Sequence, residues 1–130
     1  MYTQKVLNIF KNPKNSGGLH GANGIGKVGA ASSDIMKIYL KVDEEEIIQD
    51  AKFKTFGCVA SIASSSVACE IIKGMSLAEA LNVSRDDLLD ELGELPAEKM
   101  HCVSLAQEAI ESAVIDYYKR REKEAKKDLL

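Results

Sequence analysis

No excess of positive charge runs through this sequence: seventeen lysines and arginines stand against twenty acidic residues, for a formal charge of -3. A chain balanced this way has no general attraction for a nucleic-acid backbone or an anionic membrane, so any partner must be recognised locally. No stretch approaches the roughly 18 apolar residues that a membrane-spanning helix needs. The opening residues, Met1 to Leu7, lack the basic start and apolar run of a secretory signal, so a cytoplasmic location is expected. Cysteine is scarce. Three thiols cannot all pair within one chain and their spacing makes no small disulfide framework, which favours a reducing compartment and metal-binding or reactive thiols.

What remains is one domain's worth of chain, residues 1–130, long enough to bury about two-thirds of its unfolded surface. Val6, Leu7, Ile9 and Phe10 suggest a short amphipathic helix stopped at Asn12-Pro13. The stretch from Asn15 to Gly29 holds six of the nine glycines and reads as a loop, with a short strand over Val28 to Ala31. Its Gly24-Ile25-Gly26 follows no strand and lacks a Gly-Lys-Ser/Thr ending, which argues against a phosphate-binding loop. Ile35 to Val42 and Ile47 to Phe56 read as strands joined by the polar Asp43-Glu44-Glu45-Glu46, short enough for an antiparallel hairpin.

From Val59 the period becomes helical and ends at Lys73-Gly74, while Ser76 and Ser84 look like N-caps of two further helices, the second running to about Gly93. Pro96 opens a loop or first turn. A last helix from about Lys99 carries Val103, Ala106, Ile110, Ala113, Val114 and Tyr117 as a core-facing stripe. Its end, Lys119 to Asp128, holds six bases and three acids and reads as a solvated terminus suited to the helix dipole. Strands followed by helices predict an α+β fold: a small antiparallel three-stranded sheet with helices packed on it and a long C-terminal helix.

Two cysteines sit where helices should begin. Cys58 follows Gly57 and precedes small residues, and Cys102 follows His101 a few residues after Pro96. A thiol at a helix N-terminus feels the positive end of the dipole, which lowers its pKa and raises the thiolate fraction that binds metal or accepts sulfur. Imidazole and thiolate both suit zinc and iron, so Cys58, His101 and Cys102 supply three ligands from two segments. Adjacent helical side chains diverge by about 100°, so joint ligation by His101 and Cys102 requires the helix to be only starting there. Cys69, eleven residues beyond Cys58, lies roughly 16 Å from it along one helix and reads as core packing. His20 stands alone in the glycine-rich stretch and is expected in solvent. Spacing alone nominates no fourth ligand.

Several segments, in order along nearly the whole chain, are similar to those of the IscU/NifU-type iron-sulfur cluster scaffold family: Val28 to Lys37, Phe53 to Cys58 with the run Ile62 to Ser66, Leu95 to Lys99, and His101-Cys102. The resemblance implies that residues 1–130 form a single IscU/NifU N-terminal-like domain. It also implies a fourth ligand at Asp34, from the family's Cys-Gly-Asp segment, whose cysteine is here replaced by Ser32 or Ser33 with one residue fewer. In that family a cysteine desulfurase delivers sulfur as persulfide to the cysteine matching Cys102, and iron joins it in a labile [2Fe-2S] cluster; zinc or ferrous iron can occupy the same ligands. The implied function is therefore a non-enzymatic scaffold that accepts sulfur and holds a cluster or metal ion through Asp34, Cys58, His101 and Cys102 for apo-protein acceptors.

A second reading is a degenerate paralogue acting as sulfur relay or desulfurase regulator, and a third a domain whose zinc only fixes the fold. The family's Leu-Pro-Pro-Val-Lys chaperone motif appears as Leu95-Pro96-Ala97-Glu98-Lys99, where alanine and a charge replace apolar residues and argue against that chaperone contact. Loss of a thiolate weakens a soft site, because a serine hydroxyl ionises poorly near neutral pH. Ser32→Cys or Ser33→Cys is therefore expected to raise the iron and acid-labile sulfide retained after reconstitution, checked by assay of both per chain.

Overall fold

The computed structural model describes residues 1–29 and 34–129. Alternating apolar residues put β2 (Ile35–Val42) at the centre of a three-stranded antiparallel sheet, between β1 (Gly24–Gly29) and β3 (Ile48–Phe56). On one face of β2, Met36, Ile38 and Leu40 are fully buried, and Phe53 and Ala51 of β3 lie beside Ile38 and Leu40. The opposite face carries Lys37, Tyr39 and Lys41, as the period of two requires. The expected hairpin between β2 and β3 is tied by Asp43, whose carboxylate accepts from the Glu45 and Ile47 backbone N–H groups at 2.9 Å each. Glu46 takes a left-handed φ of 63° to close it.

The stretch expected to be a loop as far as Gly29 instead enters the sheet at Gly24, and the short strand expected over Val28 to Ala31 lies further upstream. Ala30 and Ala31 lie outside the described residues. The physical reason is the long helix α5 (His101–Asp128), which packs directly across β1. A Cβ on Gly26 would overlap the Ala113 backbone nitrogen and stand 2.6 Å from the Ala109 carbonyl oxygen, and one on Gly24 would stand 2.8 Å from the Ala113 carbonyl oxygen. The two glycines occupy core-face positions where helix backbone takes the place of side chains.

On the same side of the sheet lies α2 (Val59–Ile72), against β3, α5, α1 (Gln4–Lys11) and α4 (Arg85–Leu92). Because it is surrounded, its side chains are small: Ala60, Ala63, Ala68 and the serines 61, 64, 65 and 66 are all buried. Three of these hydroxyls find partners, Ser61 on a sulfur described below, Ser65 on the Ser61 carbonyl at 2.8 Å and Ser66 on the Lys14 carbonyl at 2.9 Å. Ser76 and Ser84 cap α3 (Leu77–Leu81) and α4 through reciprocal hydrogen bonds with Glu79 and Asp87. A single 3-10 turn, Ala97–Lys99, precedes α5, which starts at His101 rather than at Lys99. The stripe predicted on α5 is buried as far as Tyr117; residues 118–129 are exposed. Among the described residues, no helix is long and apolar enough to cross a membrane.

Gly26→Ala is expected to push α5 off the sheet. The loss should be about 1–3 kcal/mol, as for other overpacked core sites, read as a lower denaturant midpoint at unchanged slope.

Candidate metal centre

Three chain segments meet at one end of the sheet. Asp34 immediately precedes β2, and the pairing of Ile35 with Phe56 brings Asp34 beside Gly57 and Cys58 at the end of β3. Gly57 is required there: a Cβ would stand 2.9 Å from the Asp34 Cγ and overlap its carboxylate. With that space open, Asp34 Oδ1 accepts the Cys58 backbone N–H at 3.2 Å. Cys58 is the N-cap of α2 in an extended conformation, and Cys102 is the second residue of α5, so the expectation that both stand at helix starts holds.

The donor atoms converge. Cys102 Sγ lies 3.8 Å from Cys58 Sγ, 3.7 Å from Asp34 Oδ2 and 3.6 Å from His101 Nε2, and His101 Nε2 lies 3.5 Å from Asp34 Oδ2. Ligands at bond lengths of about 2.0–2.3 Å around a tetrahedral ion are about 3.3–3.8 Å apart, so these separations are those of a ligand set. Asp34, His101 and Cys102 form a mutual group within 4.8 Å, and Cys58 extends it from the Cys102 side. His101 and Cys102 share the site because the helix is only beginning at them. His101 Nδ1–H donates to the Glu98 carbonyl oxygen at 3.1 Å, which fixes the ring and leaves Nε2 free to ligate. The Glu98 side chain itself is exposed; its backbone serves the site.

The two thiols differ in a way the sequence did not suggest. Burial works to raise the Cys58 pKa, but the Ser61 hydroxyl and backbone amide outweigh it and hold the thiol below its ordinary value. Cys102, expected to be lowered by the helix dipole, is instead pushed up to about 12, chiefly by burial, which the Ser61 hydroxyl opposes and the Cys58 sulfur reinforces. Two sulfurs this close titrate as a coupled pair, and once Cys58 ionises the proton stays on Cys102. Asp34 is partly buried, which opposes ionisation, yet hydrogen bonds from Ser61 and the Cys58 N–H keep its carboxyl below the usual range.

Sequence reasoning missed two neighbours. Ser61 is fully buried and donates to Cys102 Sγ at 3.3 Å while standing 3.5 Å from Cys58 Sγ; its position three residues after a helix N-cap was the available signal. Tyr2 adjoins Cys58, and its hydroxyl is raised by burial first and by that sulfur next. Cys69 is buried in the core, as its packing role requires, and burial raises its thiol pKa. His20 is exposed. Ser32 and Ser33 lie outside the described residues.

A sheet covered by helices, gathering one carboxylate, one imidazole and two thiols at its end, defines an α+β domain whose donor types are those that suit a soft metal. The chain belongs to the NifU-like N terminal domain family, whose model matches residues 1–124. It is 46% identical over 124 residues to the iron-sulfur cluster assembly scaffold protein IscU 1 of Archaeoglobus fulgidus, covering 95% of this chain and 80% of that one. It is likewise 46% identical over 125 residues to the IscU scaffold protein of Escherichia coli K12, covering 93% and 97%. A solved nitrogen-fixing NifU-like protein (N-terminal) from Brucella abortus superposes with a TM-score of 0.68 at 19% identity, covering 90% of this chain and 94% of that one, a likeness of fold.

Because Cys102 holds its proton at neutral pH, binding zinc must displace it. Zinc affinity is expected to rise with pH between about 6 and 8, and Cys102→Ser should lower the number of protons released by about one, measured by calorimetry in buffers of different ionisation enthalpy.

Proposed function

We propose that this protein is a scaffold for iron-sulfur cluster assembly, in which Cys102 accepts persulfide sulfur from a cysteine desulfurase. Asp34, Cys58, His101 and Cys102 then hold iron and sulfide as a labile [2Fe-2S] cargo for apo-protein acceptors. The observation that carries this reading is the mutual approach of Asp34, His101 and Cys102 at ligand spacing, with Cys58 Sγ 3.8 Å from Cys102 Sγ. Relatives 46% identical along nearly the whole chain, named as scaffold proteins of this assembly, support it. The protein works in the reducing cytoplasm, where its thiols stay free.

Each residue has a distinct task. Cys102, fixed on α5, presents the sulfur acceptor; Ser61 steadies its sulfur by a hydrogen bond. Asp34 contributes an oxygen ligand, weaker than thiolate toward a soft site, which keeps the cargo exchangeable. His101, held by the Glu98 carbonyl, brings its Nε2 to the rim. A two-iron cluster takes two protein ligands on each iron, so all four are used at once. In this reading the chain is a scaffold rather than an enzyme, and the cluster is cargo rather than a resident cofactor.

The test is anaerobic incubation with a cysteine desulfurase, cysteine and ferrous iron, followed by mass spectrometry and assay of iron and sulfide. The expected result is a persulfide on Cys102 and near-equal iron and sulfide per chain. Cys102→Ser should lose both while still co-eluting with the desulfurase. Persulfide without iron and sulfide would instead make the chain a sulfur relay, and full persulfide loading of Cys102→Ser would overturn Cys102 as acceptor.

A further inference from the structure

A persulfide must gain two electrons before its outer sulfur becomes sulfide, and the site carries a second thiol beside the acceptor. Cys58 Sγ stands 3.8 Å from Cys102 Sγ. A disulfide bond is about 2.05 Å long, so bonding requires closure by under about 2 Å. The two partners are unequally held. Cys102 is fully buried on the first turn of the 28-residue α5, whereas Cys58 is half-buried at a turn after Gly57 and uses its side chain in no cap hydrogen bond. The Ser61 hydroxyl touches both sulfurs, at 3.5 and 3.3 Å. The remaining cysteine, Cys69, is sealed in the core, so this pairing has no competitor within the chain.

We propose that Cys58 and Cys102 act as a redox pair that releases sulfide from a Cys102 persulfide, an inference that takes the persulfide itself from the preceding reading. The Cys58 thiolate attacks the inner sulfur, Cys102 Sγ, which is the atom it faces. The sulfur–sulfur bond of the persulfide breaks, and its outer sulfur leaves as hydrosulfide with its own proton and the bonding electron pair. A Cys58–Cys102 disulfide forms in its place. The outer sulfur is reduced by two electrons, and the two cysteine sulfurs together are oxidised by two. An external dithiol resets the pair by exchange, becoming oxidised itself and returning both thiols as ligands. Sulfide release and ligation thus use the same two sulfurs in turn, with a reducing step between them.

The reduced full-length protein is loaded with sulfane sulfur from inorganic polysulfide, desalted anaerobically without reductant, and followed by sulfide assay, intact mass and peptide mapping. The expected result is release of about one sulfide per chain with a disulfide mapping to Cys58 and Cys102. Cys58→Ser and Cys58→Ala, checked for native circular dichroism, should keep the persulfide on Cys102 and release sulfide at least about tenfold more slowly until dithiol is added. Wild-type persulfide as long-lived as that of the variants would overturn the proposal, as would sulfur moved intact onto Cys58. Chemical loading separates the two readings: release after polysulfide, with no loading by a desulfurase, would sustain the redox pair and overturn delivery by that enzyme.

Discussion

The depth at which α5 sits on the sheet governs the site. Helix backbone lies directly on the glycine positions of β1, because Gly24 and Gly26 present nothing to hold it away. Alanines 106, 109 and 113 on the facing helix are small for the same reason, and all are fully buried. Cys102 belongs to the first turn of that helix, so the seat fixed by glycine and alanine further along also fixes where its sulfur lies. Opposite it, the register of β2 on β3 brings Asp34 to Gly57, and the missing Cβ of Gly57 lets the carboxylate reach the Cys58 amide. The donor set is thus the product of two close backbone approaches, each secured by glycine.

That construction leaves the site at the edge of the core. Among the described residues, the buried members of the large apolar cluster draw on β2, β3 and the five α-helices, with Val28 of β1 packed against them, and include none of Asp34, Cys58, His101 or Cys102. A chain whose core closes without its metal ligands does not resemble domains in which ion binding supplies the folding energy. This weighs against zinc as a purely structural element. The electrostatics point the same way: a carboxyl and a thiol whose pKa values are held down by hydrogen bonds stand beside a thiol kept protonated by burial. Such a cluster of acceptors gains most from a cation that arrives, and loses little of the fold when it departs.

Much of this was legible in the sequence, and what was not has physical causes. The hairpin, both serine caps, the stripe on α5 and the helix-start positions of Cys58 and Cys102 follow from local periodicity and turn chemistry. The strand β1 was hidden because its core-face positions carry glycine, which reads as loop until a helix is known to occupy the space of the side chains. Ser61 was hidden among several serines in one helix, and its role depends on a sulfur 41 residues away. The Cys102 pKa was misjudged because the dipole of a helix start was weighed without the burial that its packing imposes.

The thiol pair carries a final consequence for how the site can work. The same 3.8 Å separation suits two ligands of one ion and two partners of one disulfide, and no sulfur can be both at once. A cation held between them keeps the sulfurs apart as separate thiolate donors, and so blocks the bond; the bond, once formed, removes two of the four donors. Metal occupancy and sulfide release are therefore competing states of one structure, ordered by the supply of electrons. Asp34 and His101 are untouched by that oxidation, since neither side chain changes its bonding. They remain as two oxygen and nitrogen donors 3.5 Å apart, poised to receive an ion when the sulfurs return.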